Sequence, residues 1–319
     1  MSTKEIICGY LSRKTKEILT SLSDYFFSEI TEIHLRVNKP LIIRRKNQEY
    51  FLKEDVCLKG KTSFTQSPDE AYLVSALDIQ ESLSLMSDYS LYAFEEELRS
   101  GYITLTGGHR VGITGKASVL DNQSGNQIYV MKNINGLNIR ISHEIKGCAD
   151  SIIEKISIPR LYHTMIISPP GCGKTTLLRD IIRQLSDGRQ GRFSGYTVGV
   201  ADERSEIAGC YRGIPQNDVG IRTDILDGFP KSIGMTMLLR AMSPQVIAVD
   251  ELGGKRDINA VEDIINAGVC LVCTVHARDL NDARQKSALL ELFNIFERFI
   301  VLKVPGVIEG VYDSEERQI

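Results

Sequence analysis

The stretch MIISPPGCGKTTLLRDII, residues 165–182, constrains the fold of this chain more than any other. An apolar run ends at Ser168, two prolines and two glycines follow, and apolar residues then recur at helical spacing. An apolar run, a glycine-containing turn and a Lys-Thr pair that opens a helix are typical of a phosphate-binding loop. The sequence therefore predicts a strand, a loop that holds phosphate groups, and a helix, in that order.

The loop departs from the usual pattern at its first position, where Ser168 replaces glycine ahead of the Gly-Lys-Thr end. Gly171 and Gly173 remain to let backbone N–H groups point at phosphate oxygens. We expect Lys174, as an exposed loop cation, to neutralise the phosphates, and the Thr175 hydroxyl to bind magnesium. The predicted ligands are ATP and Mg²⁺, and the predicted nucleotide-binding residues are Ser168, Pro169, Pro170, Gly171, Cys172, Gly173, Lys174, Thr175 and Thr176.

Short buried-strand runs alternate with helical segments from residue 147 onward. The runs are YHTMIIS, YTVGVAD, QVIAVDE and VCLVCTVHA. Such alternation predicts an α/β fold with a mostly parallel sheet and helices on both of its faces. Ligands of such sheets bind beyond the carboxyl ends of the strands. Because each run ends in polar or small residues, we expect these residues to face one site.

An acidic pair ends the QVIAV run. We expect Asp250 to be a magnesium ligand and Glu251 to act on an attacking water molecule. Acidic pairs after strands also serve as helix caps, so the pair alone does not decide between the two interpretations. Its place in the same predicted sheet as Lys174 favours the catalytic one.

Three further polar clusters follow predicted strand ends. Glu203 in VADERSE is a candidate for polarising water, or belongs to an acidic first turn of a helix. In TVHA, Thr274 and His276 are candidates for hydrogen bonding to a γ-phosphate, although a lone histidine is often structural. The turn-rich segment GIRTDILDGFPK holds candidates for an interface or for a transition-state cation, namely Arg222, Asp224, Asp227 and Lys231.

The first part of the chain has a different pattern. Residues 5–30 have helical periodicity, and the segment after them alternates around Lys39-Pro40, which predicts a hairpin. Ser67 is predicted to cap one or two helices that end at Gly101, and glycine-punctuated strands follow. We therefore predict a smaller α+β domain over residues 1–145, followed by the α/β domain over residues 146–319.

Composition limits the possible functions. The chain has 319 residues, a net charge of −3 and no tryptophan, and no stripe interleaves basic and aromatic residues, so nucleic acid is an unlikely partner. Its seven scattered cysteines favour a reduced, cytoplasmic protein, and Cys270 and Cys273 are expected to be core thiols on opposite faces of a strand. No stretch reaches 18 uninterrupted apolar residues, so we expect no membrane span and any membrane link to depend on a partner.

The motifs together resemble the stage III sporulation protein AA family, whose relatives are the type II and type IV secretion and pilus ATPases. The resemblance rests on EIHLRVNKPL and GYITLTGGHRVGITGKA in the first half and on PPGCGKTTLLRD, DERSEIAG, PQNDVGIRTDILDGFPK, LLRAMSPQVIAVDELG and TVHA in the second. It implies a RecA-like P-loop ATPase core that hydrolyses ATP and forms a homo-hexameric ring. It further implies a motor for a secretion-like channel between mother cell and forespore, held on the mother-cell side by an inner-membrane component.

The resemblance also implies roles for individual residues. DERSEIAG stands where secretion ATPases have a water-activating glutamate, which favours Glu203. LLRAMSPQVIAVDELG matches their arginine, proline and acidic strand, and TVHA matches their histidine box. Arginines of the first domain approach the γ-phosphate in such rings, and ATP would draw the two domains together. The residues so implied are Arg110, Arg140, Arg240, Asp250, Glu251 and His276.

Two other functions fit the same core. One is a RecA-like ATPase that acts on nucleic acid, which nucleic-acid-stimulated hydrolysis would reveal. The other is a nucleotide-dependent assembly scaffold with little turnover, which the ATPase activity of the assembled form distinguishes from a motor.

Overall fold

A computed structural model describes residues 1–319 except 47, 55–63, 66, 91–100, 122–126, 254, 287–289 and 291. The chain divides into two compact units, Met1–His143 and Glu144–Ile319. Each unit has its own apolar core.

The amino-terminal unit contains helices and one antiparallel sheet. Its helices are α1 (Thr3–Gly9), α2 (Arg13–Thr20), α3 (Asp24–Phe27) and α4 (Ala76–Met86). Its strands are β1 (Ile30–Arg36), β2 (Ile42–Arg45), β3 (Gln48–Leu52), β4 (Phe64–Thr65), β5 (Tyr102–Leu105), β6 (His109–Asp121) and β7 (Gln127–Arg140). Among the described residues these strands pair in the order β4-β3-β2-β1-β7-β6-β5.

The elements predicted for this unit from local sequence patterns are confirmed in part. The hairpin around Lys39-Pro40 is confirmed, because β1 and β2 pair antiparallel with His34 opposite Ile42. The helical periodicity of residues 5–30 corresponds to three short helices, because Ser12 and Ser23 each cap a new helix.

The predicted Ser67 cap is wrong. Ser67 precedes a single 3₁₀ turn, Pro68–Glu70, and its side chain makes no capping bond. Ser75 caps α4 instead, since its hydroxyl accepts from the Asp78 backbone N–H at 3.1 Å while the Asp78 carboxylate accepts from the Ser75 N–H at 2.8 Å. The part of the predicted helical region over residues 91–100 lies outside the described residues.

The carboxyl-terminal unit is built on a mostly parallel sheet. Its helices are α5 (Ile153–Ser157), α6 (Lys174–Asp187), α7 (Lys231–Ala241), α8 (Lys255–Asn266) and α9 (Leu280–Gln285). Its strands are β8 (Thr164–Ser168), β9 (Gly188–Arg189), β10 (Phe193–Ser194), β11 (Val198–Asp202), β12 (Thr223–Asp227), β13 (Val246–Val249), β14 (Cys270–His276), β15 (Arg298–Val304) and β16 (Val307–Asp313). The described sheet has the order β12-β11-β13-β14-β8-β15-β16, and its β15–β16 pair is antiparallel.

Helices cover both faces of this sheet because its strands are apolar on both sides. On one face Leu178 and Ile181 of α6 pack with strand residues such as Val200 and Val272. On the other face α7 and α8 pack with a separate set that includes Ile247 and Val275. The predicted sheet with helices on both faces is confirmed.

The two cysteines of CLVC illustrate this arrangement. Cys270 belongs to the core on one face of the sheet and Cys273 to the core on the other, as predicted. Burial raises the pKa of the Cys270 thiol to about 12 and raises that of Cys273 well above its ordinary value. Both therefore remain protonated core thiols.

Parallel pairing brings the carboxyl ends of four strands to one edge of the sheet. His276 at the end of β14 is opposite Ser168 at the end of β8, and Val249 of β13 is opposite both Ala201 of β11 and Cys273 of β14. The polar residues that follow these strands therefore lie in one region. Every helix in the described parts of the chain is too short or too polar to cross a lipid bilayer.

Candidate active site

The loop between β8 and α6 presents a row of backbone N–H groups. Gly171 and Gly173 have φ angles of 76° and 89°, in the left-handed region that favours glycine. The N–H groups of residues 171–176 donate to no acceptor among the described residues, and the last three open α6. Such a row at the positive end of a helix dipole is suited to bind phosphate oxygens.

Ser168 takes the place of the first glycine without backbone strain. It is the last residue of β8, is fully buried and does not have a positive φ. Its hydroxyl donates to the Pro169 carbonyl at 2.9 Å. A serine therefore fits this position, because the chain is still extended here and turns only at the glycines beyond the two prolines.

Lys174 differs from the exposed cation that the sequence predicted. Its residue is only 9% exposed, and Nζ lies 2.9 Å from Nε2 of His276. His276 Nε2 lies in turn 3.7 Å from Oε1 of Glu251. The difference arises because α6 and the end of β14 lie close together, so that the imidazole contacts the lysine Nζ.

Asp250 connects the loop with the neighbouring strands. Its Oδ2 accepts from the Thr175 hydroxyl at 2.9 Å, and its Oδ1 accepts from the Thr274 hydroxyl. The Thr175 and Asp250 oxygens are hard ligands of the kind that Mg²⁺ prefers, and they lie beside the loop N–H groups. The two predicted metal ligands are therefore brought together by the fold.

Thr274 supports Asp250 from the neighbouring strand. Its residue is fully buried, and its hydroxyl also accepts from the Glu251 N–H at 2.9 Å. In this structure the hydroxyl is engaged by the acidic pair, and a hydrogen bond from Thr274 to a phosphate stays a prediction. A threonine at a predicted strand end is the one sign of this supporting role in the sequence.

Glu251 is held in an unusual backbone conformation. Its φ is 51°, which is uncommon for a residue with a side chain. The bond from its N–H to Thr274 and a 2.5 Å bond from Lys231 Nζ to its carbonyl fix this conformation. Lys231, which the sequence left as an interface or transition-state candidate, thus reaches the acidic pair from the start of α7.

A small cavity joins the two acidic strand ends. It has a volume of about 20 Å³, enough for one water molecule. It is lined by Asp202, Glu203, Arg204, Glu206, Lys231, Asp250 and Glu251. The Glu203 carboxylate lies 3.5 Å from Lys231 Nζ. The fold therefore places both predicted water-activating glutamates, Glu203 and Glu251, around one water-sized space.

The loop that follows Glu203 is held by hydrogen bonds to two side chains, those of Asp202 and Arg179. Asp202 is buried and accepts hydrogen bonds from three backbone N–H groups, those of residues 206, 207 and 208, at 2.9 to 3.0 Å. Arg179 of α6 donates to the carbonyls of Glu206 and Ile207 at 2.7 and 2.6 Å. Burial raises the pKa of Asp202 to about 6 and lowers that of Arg179. Arg179 is not among the predicted site residues, and its only signal in the sequence is a charge among the apolar positions of α6.

Two other predicted cations lie elsewhere in this unit. Arg240 is exposed and belongs to a groove of about 440 Å³ between α7 and α8, with Met237 and Arg256 among its lining residues. The described residues that line this groove include none of the phosphate loop. Arg222 donates to the Ser186 carbonyl at 2.8 Å, near the end of α6. A contact of either arginine with a nucleotide stays a prediction.

Arg110 and Arg140 belong to the amino-terminal unit. They are directly opposite each other on β6 and β7, so their side chains leave the sheet on the same face. The Arg110 guanidinium carbon lies 3.8 Å from the centre of the Tyr102 ring. The sequence could not show that these two cations are neighbours, and their role at a phosphate stays a prediction.

The family model described as sporulation stage III, protein AA matches residues 1–319. The chain belongs to this family. It is similar to stage III sporulation protein AA of Bacillus subtilis (strain 168), with 36% identity over 97% of this chain and 95% of that protein. An uncharacterized protein of Cyanidium caldarium, ycf45, is 28% identical over 71% of this chain and 58% of its own length.

The fold is similar to those of solved ATPases. The ATPase DotB of Legionella pneumophila has a TM-score of 0.53 at 16% identity, over 85% of this chain and 72% of DotB. DotB of Yersinia pseudotuberculosis has a TM-score of 0.55 at 15% identity, over 91% and 75%. The pilus retraction motor PilT, solved with ADP, has a TM-score of 0.51 at 15% identity, over 87% and 75%. The predicted fold class, a RecA-like P-loop core preceded by an α+β domain, is confirmed.

Replacing Thr274 tests the support of the acidic pair. Thr274→Val keeps the shape of the side chain but leaves the Glu251 N–H without its acceptor and Asp250 Oδ1 without its donor. We expect a loss of about 1–3 kcal/mol in the free energy of unfolding, measured by urea denaturation. Thr274→Ser, which keeps the hydroxyl, should lose only about 1 kcal/mol. Equal stability of the valine variant and the parent would contradict this role of the hydroxyl.

Proposed function

We propose that this member of the sporulation stage III protein AA family binds ATP with Mg²⁺ and hydrolyses it. One observation carries the proposal: the free N–H groups of residues 171–176, the Thr175–Asp250 pair and a water-sized acidic cavity lie at one edge of the sheet. The first feature fits phosphate oxygens, the second fits a hard cation, and the third fits a nucleophilic water.

Each group of residues has a distinct chemical task in this proposal. The loop N–H groups and Lys174 bind and orient the phosphates, and Lys174 offsets the charge that develops on the transferred group. Mg²⁺, held by Thr175 and Asp250, would supply further neutralisation of that charge. Glu251 or Glu203 accepts a proton from the water, since both line the cavity. His276, beside Lys174, holds the lysine in place.

We further propose that the protein works as a homo-hexameric ring on the cytoplasmic, mother-cell side of the sporulation septum, where an inner-membrane component would hold it. Membership of a sporulation family and a fold shared with a pilus retraction motor support the motor role. Light scattering of the full chain should give the mass of a hexamer in the presence of a non-hydrolysable ATP analogue and Mg²⁺. A single-chain mass under those conditions would contradict the ring.

Lys174→Ala tests the phosphate site. We expect the affinity for ATP to fall at least 100-fold, because the ammonium belongs to the residue that ends the loop and opens α6, and charge-assisted contacts to phosphate are strong. The affinity can be measured by displacement of a fluorescent ADP analogue. Lys155→Ala removes an exposed lysine elsewhere in the same unit and should bind ATP like the parent. Unchanged ATP affinity in Lys174→Ala would overturn the site.

Glu251→Gln separates binding from hydrolysis. The amide keeps the shape of the side chain but cannot accept the proton of the water, so we expect kcat to fall by roughly 10²-fold or more while ATP affinity is retained. Glu203→Gln is measured in the same phosphate-release assay, because Glu203 lines the same cavity. Glu262→Gln, on the exposed side of α8, is the matched control. Parental turnover in both cavity variants would show that the acidic residues only shape the loop.

A further inference from the structure

The tip of the β15–β16 hairpin lies against the phosphate loop. The Gly306 N–H donates to the Cys172 carbonyl at 3.2 Å, and Cys172 Sγ lies 3.5 Å from the Lys303 carbonyl. A Cβ atom placed on Gly173 would be 3.7 Å from the Gly306 nitrogen. The tip of the hairpin therefore packs directly against residues 172 and 173 of the phosphate loop.

This tip carries an exposed apolar pair. Val304 and Val307 are directly opposite each other across the Pro305-Gly306 turn, so their side chains share a face. They are 51% and 54% exposed. Two apolar side chains held at this exposure beside a polar loop give a small surface on which a flat apolar group can lie.

The order of the strands indicates which end of a nucleotide meets this surface. β8, which leads into the loop, has β14 on one side and β15 on the other. The catalytic candidates Asp250, Glu251 and His276 belong to the β13 and β14 side. A triphosphate with its γ end on that side directs its nucleoside toward the opposite side, where the hairpin tip lies.

We propose that Val304 and Val307 form the nucleobase subsite of this chain, with the base of a nucleoside triphosphate lying on the paired valine side chains. This inference rests on the proposed nucleotide binding and adds a contact that the phosphates do not make. Valine side chains make no hydrogen bonds to the base. The contact therefore contributes affinity through burial of the apolar face of the base.

The test compares two ligands that share phosphates but not a base. Isothermal titration calorimetry with Mg²⁺ is carried out on the full chain with ATP and with inorganic tripolyphosphate. For the double variant Val304→Ser/Val307→Ser we expect ATP affinity to fall about tenfold, while tripolyphosphate affinity stays within about twofold of the parent. Val304→Leu/Val307→Ile keeps the surface apolar and should retain ATP affinity.

Ile221→Ser is the matched control, because Ile221 is an exposed apolar residue of the same unit that lies before β12. It should leave both affinities unchanged. Parental ATP affinity in the serine double variant would overturn the subsite, as would an equal loss for both ligands, which would mean that the hairpin only supports the loop. If the parent bound neither ATP nor tripolyphosphate, the proposed function itself would be overturned, and the subsite with it.

Discussion

The hydrogen bonds accepted by Asp250 join the elements on which the candidate site depends. Strand β14 lies between β13 and β8, so a hydroxyl at its end can reach a carboxylate at the end of β13. Thr274 donates from β14, and Thr175 donates from the first turn of α6. One carboxylate thereby fixes the distance between the phosphate loop and the acidic strand, and its own orientation is set by both partners. A buried polar network of this kind rigidifies a site only if every member has its partners, and here Thr274 also satisfies the Glu251 N–H.

A second set of contacts ties the other acidic loop to the same helix. Arg179 extends from α6 to two carbonyls of the loop after Glu203, and Asp202 holds the N–H groups of that loop from the strand side. A shift of α6 would therefore move the loop that carries Glu203. The helix that opens with Lys174 is in this way connected to both acidic strand ends, through Thr175 on one side and Arg179 on the other.

The amino-terminal unit contains a pair of neighbouring arginines on its sheet. Arg110 and Arg140 are like charges at directly opposite positions of neighbouring strands, which costs free energy unless an anion or a ring lies nearby. Tyr102 provides such a ring for Arg110. The long pairing of β6 with β7 holds the two side chains on one face, so the pair is a fixed feature of this sheet.

The sequence by itself determined the elements whose signals are local. Two glycines after an apolar run of strand length, and a Lys-Thr pair that opens a helical pattern, predicted β8, the loop and α6, because backbone freedom and helix periodicity act over a few residues. Only the tertiary structure decided that Thr274 supports Asp250, that His276 contacts Lys174 Nζ, that Lys231 reaches the acidic pair and that Arg240 lies in another groove. Those outcomes depend on which strands are neighbours and how far each helix extends, and the pattern of a single strand contains no information about its neighbours. The wrong prediction of a Ser67 cap has the same origin. Ser75 caps the helix instead, and its partner Asp78 is held by hydrogen bonds from Ser12 and Tyr72, which lie outside that helix.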